Sequence, residues 1–167
     1  MDIRIAGTVN DSIVDGPGFR FTVFVQGCSH CCPGCQNPQT WSRDGGEMST
    51  TEEILARIDK NPLLRGVTLS GGEPFESIAP MAEIARSCHE RGLDVWCYTG
   101  YLYEDIAAGK LGEEAIELLE LCDVLVDGLF IEDQKTLGLR FRGSANQRLI
   151  DVPASLAAGE ACLLPEG

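Results

Sequence analysis

Phe19-Arg-Phe-Thr-Val-Phe-Val-Gln-Gly27-Cys28-Ser-His-Cys31-Cys32-Pro-Gly-Cys35 runs an alternating stretch directly into four cysteines within eight residues. Phe19, Phe21, Val23 and Val25 share one face of an extended chain, because successive side chains of a strand point to opposite sides. Residues 19–26 therefore predict a strand that carries the cysteine loop at its end. Three chemistries suit that loop. Cys28, Cys32 and Cys35 read as Cys-x3-Cys-x2-Cys, three thiolates for a four-iron cluster with one iron left open to a substrate. The interleaved pairs Cys28/Cys31 and Cys32/Cys35 also suit zinc or a redox dithiol. Structural zinc usually takes two knuckles well apart in sequence, whereas thiols crowded on one short loop suit a cluster gripped at its corners. Spacing alone leaves open whether Cys31 or Cys32 is the middle ligand.

Working outward, Thr50-Thr-Glu-Glu53 has capping-box spacing, and Ile54, Leu55 and Ile58 predict a helix that stops at Asn61-Pro62. Residues 66–70 are a compact apolar strand ending in Gly71-Gly72. Ser77 can cap a helix whose Ile78, Met81, Ala82, Ala85 and Cys88 share one side before Gly92. Residues 93–98 predict a strand, 113–121 a helix and 123–127 a further strand, with weaker strand signals at 139–141 and 148–152. Strand and helix alternate, which predicts an α/β fold with a parallel sheet and crossover helices. A complete eight-fold barrel takes about 250 residues, so the length predicts a partial, open (β/α) barrel of about five or six units. One domain over 1–152 is expected, with the Ala-, Gly- and Pro-rich segment 153–167 as a flexible tail.

The 167 residues are 44% apolar, ordinary for a single soluble domain. Eight cysteines in a chain of this size can fold on a hydrophobic core without disulfides, so a reducing compartment and metal ligation are expected. A net charge of −13 repels phosphate backbones and argues against nonspecific nucleic-acid binding. No apolar run approaches the roughly 20 residues of a membrane span, and no signal-peptide pattern opens the chain. A cytoplasmic protein without a membrane partner is the expectation.

Ser70-Gly71-Gly72-Glu73-Pro74 ends a strand just before a helix, where ligands bind in α/β barrels. Its glycines permit close approach and Glu73 supplies a carboxylate, although a Gly-Gly pair alone is more often a turn with a solvated Glu. His30 is read either as a donor to the metal site or as a satisfied structural histidine, and His89, at a helix end, as structural. Asp127-Gly128 is most simply a turn.

Gly27-Cys28-x-His30-x-Cys32-Pro-Gly-Cys35-x-Asn37-x-x-Thr40-Trp41, preceded by Asp15-Gly16-Pro17-Gly18, resembles the radical S-adenosylmethionine (SAM) enzymes, specifically activases of glycyl radical enzymes. The resemblance implies Cys28, Cys32 and Cys35 as ligands of a 4Fe-4S cluster, with Cys31 an extra thiol. Gly34 stands where many members carry an aromatic residue, which implies backbone contacts from Gly34, Cys35 and Gln36 to adenine. The Gly-Gly-Glu-Pro element is similar to the one that holds the methionine ammonium of SAM, implicating Gly71, Gly72 and Glu73. Tyr98-Thr99-Gly100-Tyr101 resembles a third SAM-contacting segment and adds Thr99, although no carboxylate stands at that strand end.

Arg142-Gly-Ser-Ala-Asn146-Gln147 resembles the Arg-Gly-Ser-x-Asn-Gln segment of anaerobic ribonucleoside-triphosphate reductase activating proteins. With Arg140 and Arg148 it is a basic stretch in an acidic chain. The resemblance implies that Arg142, Asn146 and Gln147, together with Asp15, face a protein substrate; a polar hairpin satisfying its own backbone, and a plain turn at Asp15, are equal readings beside it. The implied activity is reductive cleavage of SAM to a 5′-deoxyadenosyl radical that generates the glycyl radical of the reductase. An external one-electron donor such as reduced flavodoxin or ferredoxin is implied with it. Two alternatives stand beside this: activation of another glycyl radical enzyme such as pyruvate formate-lyase, and an iron-sulfur electron carrier or sensor. The latter explains the cysteines but not Gly-Gly-Glu-Pro.

Overall fold

The strand expected at 19–26 is Arg20–Val25 (β2), near the middle of a seven-stranded sheet in the computed structural model, which describes residues 1–165. Around it lie Asp2–Ser12 (β1), Glu47–Thr50 (β3), Gly66–Gly71 (β4), Asp94–Tyr98 (β5), Val124–Asp127 (β6) and Arg148–Asp151 (β7). Their order is β3-β1-β2-β4-β5-β6-β7. Helices Thr51–Asp59 (α1), Ile78–Glu90 (α2), Tyr103–Ala107 (α3) and Glu113–Glu120 (α4) connect the strands, and Val152–Ala158 (α5) follows β7.

The α/β class and the open sheet are as expected, while the repeat is shorter. β2, β4, β5 and β6 pair in parallel, whereas β1, β3 and β7 pair antiparallel at the two flanks. Four parallel strands thus stand where about five or six units were expected. The remaining length goes to β1 and β3 on one side, and to the helix-poor stretch 128–147 that returns β7 against β6. Residues 139–141 are not a strand. Phe141 has φ +62, a left-handed conformation that breaks an extended run.

Alternation along the parallel strands decides what each face carries. Phe21, Val23, Val25, Val67, Leu69, Val95, Cys97 and Leu125 are buried in the main core with Ile54, Met81, Ile84, Leu118 and Leu119 from the helices. Each such aliphatic side chain contributes about 1.5–3 kcal/mol on burial. The alternate residues Arg20, Thr22, Thr68, Trp96, Val124 and Val126 are buried as well, on the opposite face. A two-sided strand of this kind is what a parallel sheet covered on both faces requires. Phe19, which the alternation placed with the core, precedes the strand and is 48% exposed.

Helix starts follow local chemistry in one case and not in another. Thr50 Oγ1 accepts from the Glu53 amide at 3.1 Å, capping α1 as predicted. Ser77 occupies the cap position of α2 but makes no side-chain capping bond. The preceding 3₁₀ turn Pro74–Glu76 positions that helix instead, with the Ser77 amide bonded to the Pro74 carbonyl. In the expected tail, α5 is capped by Asp151 and buries Val152 and Ser155, and Leu163 bridges to Ile150. Residues 162–164 pair along the β7 edge, where they satisfy its open ladder groups; residues 166–167 lie outside the described residues. No helix among the described residues is long and apolar enough to cross a membrane.

Candidate functional site

At the C-terminal ends of the parallel strands a cavity of about 520 Å³ opens, a volume ordinary for a small-molecule site. β2 delivers Cys28, Cys32 and Cys35 to its wall, β4 delivers Ser70 to Glu73, and β5 delivers Tyr98 to Gly100. Phe24, Phe130, Leu139 and Phe141 supply apolar surface. Cys31 is exposed and is not on the lining; at φ +49 it makes the local turn that sends its neighbours inward.

The cysteine loop is closed on itself. The Gly27 amide donates to the Thr40 carbonyl at 2.7 Å, and the Cys28 amide to the Trp41 carbonyl at 3.1 Å. Gln26 Nε2 donates to the carbonyls of Gln39 and Ser42 at 2.9 and 2.6 Å. The Cys35 amide donates to the Cys32 carbonyl at 3.1 Å, and the Asn37 amide reaches Cys35 Sγ at 3.4 Å. Burial pushes the Cys28 thiol up to about 11 and raises Cys32 in the same direction. These thiols accordingly stay protonated near neutrality and must lose protons when a metal binds.

Why two glycines stand in the facing turn is a matter of backbone contact. A Cβ at Gly71 would lie 2.4 Å from the Val25 nitrogen, and one at Gly72 2.3 Å from the Gly27 oxygen. The end of β4 abuts the root of the cysteine loop, backbone to backbone. The Gly72 amide donates to the Val25 carbonyl at 2.8 Å and the Glu73 amide to the Gly27 carbonyl at 2.9 Å. With those donors committed, carbonyl oxygens are what this turn can offer a cationic ligand.

Glu73 lines the cavity. Its carboxylate is fully buried and accepts from Thr99 Oγ1 at 2.9 and 2.8 Å, the Gly100 amide at 2.7 Å and the Phe75 amide at 2.9 Å. His30 Nε2 lies 2.7 Å from Glu73 Oε1. That hydrogen bond is the leading cause of an upward-shifted His30, which favours the imidazolium and a buried ion pair. Instead of an open carboxylate waiting for an amine, Glu73 is the knot that ties the β2, β4 and β5 loops together. Thr99 lines the cavity, but its hydroxyl is spent on that knot. Gly100 is needed there too, since a Cβ would lie 2.7 Å from the His30 ring. His30 therefore bonds Glu73, with the Tyr101 ring edge-on at 4.6 Å.

The other expected residues divide. Gln36 lines the cavity with Cys35, whereas Gly34 sits off the lining, where a Cβ would meet Glu132 at 2.8 Å. Asp15 is on the lining, with Oδ2 accepting from Ser12 and Thr22 at 2.6 and 3.1 Å. Its loop is pinned by the buried Arg20, which donates to the Pro17 carbonyl at 3.1 Å and to Thr68 Oγ1 at 2.8 Å. Arg142 and Gln147 line the cavity; Asn146 does not, and donates to the Leu129 carbonyl at 2.7 Å. Asp127 is buried and paired with Arg148, which also binds Glu104. His89 pairs with Asp123 at 2.9 Å.

Trp41 carries no assigned role in the sequence reading. It lines the cavity, and its Nε1 is buried without a hydrogen-bond partner among the described residues. A buried donor left unpaired costs about 1–3 kcal/mol. Among the described residues no three His, Cys, Asp or Glu side chains converge on a single-ion site. The three thiols Cys28, Cys32 and Cys35 share one cavity.

Three thiols on one strand-end loop, facing a glycine turn across a cavity in an open α/β sheet, define an iron-sulfur cluster protein. The family model for a 4Fe-4S single cluster domain matches residues 14–150. The chain is 38% identical over 143 residues to the anaerobic ribonucleoside-triphosphate reductase-activating protein of Salmonella typhimurium, covering 81% of this chain and 90% of that one. It is 39% identical over 145 residues to the protein of the same name from Vibrio cholerae, covering 81% and 89%. Among solved structures it is similar to QueE from Escherichia coli, with TM-score 0.47 and 18% identity over 60% of this chain and 53% of that one. The chain belongs to the family of anaerobic ribonucleoside-triphosphate reductase-activating proteins.

Proposed function

We propose that this chain is a radical SAM activase that generates the glycyl radical of an anaerobic ribonucleoside-triphosphate reductase. The observation that carries the reading is the convergence of Cys28, Cys32, Cys35 and the Gly71–Gly72 turn on one cavity, with Cys31 outside it. In this reading the three thiolates hold a 4Fe-4S cluster and leave one iron for the amine and carboxylate of SAM. When bound, the cluster and SAM would supply one-electron reductive cleavage of the sulfonium, methionine leaving, as the source of hydrogen abstraction from a backbone glycine of the reductase.

The chain's own part is placement and exclusion. Carbonyls of Gly71 and Gly72 accept from the SAM ammonium, and the backbone of Cys35 and Gln36 borders the adenine, with Gly34 shaping their turn. Glu73 acts through the loops it ties, holding the thiols and the glycine turn in fixed relation. Phe24, Phe130, Leu139 and Phe141 keep water from the reacting atoms. Asp15, Arg142 and Gln147, on the cavity lining, meet the incoming polypeptide, while Asn146 supports them from Leu129. The electron comes from an external carrier such as reduced flavodoxin or ferredoxin.

The test is anaerobic reconstitution with iron, sulfide, reductant and SAM, followed by addition of an anaerobic ribonucleoside-triphosphate reductase. The reading predicts 5′-deoxyadenosine together with a glycyl-radical EPR signal on the reductase. No 5′-deoxyadenosine above background would overturn the radical reading. Activation of a different glycyl radical enzyme with the reductase left silent would overturn the choice of substrate.

A further inference from the structure

We infer that the Trp41 indole N–H donates a hydrogen bond to a sulfur of the iron-sulfur cluster held by Cys28, Cys32 and Cys35, and so sets the cluster's reduction potential; this rests on the cluster reading proposed above. Three observations lead there. Trp41 lines the same cavity as the three thiols, and its Nε1 is shut from solvent with no partner among the described residues. An indole nitrogen can only donate, so whatever completes it must be an acceptor. The carboxylate of Glu73, on the same cavity, is already filled by His30, Thr99, Gly100 and Phe75.

Trp41 is also fixed relative to the ligands. Its carbonyl accepts from the Cys28 amide at 3.1 Å. Through its neighbour it is linked to the last ligand as well, since Thr40 Oγ1 donates to the Asn37 carbonyl at 2.6 Å and the Asn37 amide reaches Cys35 Sγ at 3.4 Å. Around Trp41 the loop's polar groups pair with one another, at Gly27, Cys28, Gln26 and Thr40. A buried indole donor left unpaired, on the same cavity as thiols that carry anionic sulfur once metallated, matches what a cluster lacks and the protein must provide. Hydrogen bonds to cluster sulfur favour the more negative, reduced state and raise its potential.

The experiment compares the anaerobically reconstituted full chain, its Trp41→Phe and Trp96→Phe variants, and a form carrying benzothienylalanine at position 41, which keeps the ring shape and removes only the donor. Iron and sulfide content and the potential of the SAM-free cluster are read by analysis and EPR-monitored titration. The expected result is unchanged cluster content with a roughly tenfold smaller equilibrium constant for reduction at position 41, ~59 mV lower for a one-electron couple. Trp96→Phe is expected to match wild type. An intact cluster with unchanged potential in the benzothienylalanine form would overturn the inference, as would a loss confined to SAM affinity. If Trp41→Phe fails to take up iron, the isosteric form decides. Failure of the wild-type chain itself to assemble a cluster would instead sink the functional reading on which this rests.

Discussion

The two walls of the cavity are built by opposite means. On the first, Glu73 joins His30 and Thr99, 43 and 26 positions away, inside a carboxylate that no water reaches. On the second, Gln147 Oε1 accepts from the amides of Gly143 and Ser144, four and three positions away, and Arg142 donates to the Gln147 carbonyl. The first wall takes its shape from the ends of three strands, and the second largely from its own loop. Leu137, on that second wall, is 93% exposed. A cofactor that must be held to a fraction of an ångström belongs against the first wall, and an incoming polypeptide can meet the second.

Breaking the first wall should cost most. Glu73→Ala leaves His30 and three further donors without an acceptor; at about 1–3 kcal/mol for each buried donor left unpaired, a loss of about 3–5 kcal/mol is expected from urea unfolding of the apo-chain. A loss below about 1 kcal/mol would mean that the knot does not organise this wall. Next comes Gly72→Ala, whose methyl would lie 2.3 Å from the Gly27 oxygen. Overpacking of this kind costs about 1–3 kcal/mol, and the cluster content after reconstitution should fall with it. Gly7→Ala, with nothing within 4 Å, is the control that should leave cluster content untouched.

The second wall should respond less. Gln147→Ala removes an acceptor for two amides and a donor to the Gly128 carbonyl. A cost of about 1 kcal/mol is expected, with faster proteolysis within 128–147 and cluster content at the wild-type level. Loss of the cluster in this variant would erase the distinction between the walls. The smallest effect is the acid response of Glu104, whose carboxyl Arg148 holds below the usual range. A folded value depressed in this way contributes stability above the unfolded value of about 4.3, lost as pH falls through the folded value. The stability difference between wild type and Glu104→Gln should therefore shrink as pH falls below that point. A difference constant with pH would contradict it.

Much of the first wall was legible because its signals are local. The cysteine spacing, the strand before it and the Gly-Gly turn each lie within a few residues. The use of Glu73 was not legible, since His30, Thr99 and Gly100 come from separate segments and only strand order brings them together. Strand β1 escaped notice because its burial is broken. Ile3, Ile5 and Ser12 turn inward, while bulges between Ile5 and Gly7 and between Val9 and Ser12 disrupt the alternation. β3 is four largely polar residues whose pairing depends on β1. The strand signal at 148–152 was sound, but its antiparallel direction follows from the helix-poor return over 128–147, which periodicity does not report. For Trp41 the missing signal was three-dimensional, an indole nitrogen with nothing to bond.

The proposed function requires three of the four clustered thiols to hold a four-iron cluster with one iron open toward the glycine turn. ⁵⁷Fe Mössbauer spectroscopy of the reconstituted Cys31→Ser chain, with and without SAM, tests it most directly, with Cys32→Ser alongside. The account predicts an intact 4Fe-4S cluster in Cys31→Ser in which one iron site changes when SAM is added, and no such cluster in Cys32→Ser. A cluster lost in Cys31→Ser but kept in Cys32→Ser, or iron sites indifferent to SAM, would contradict it.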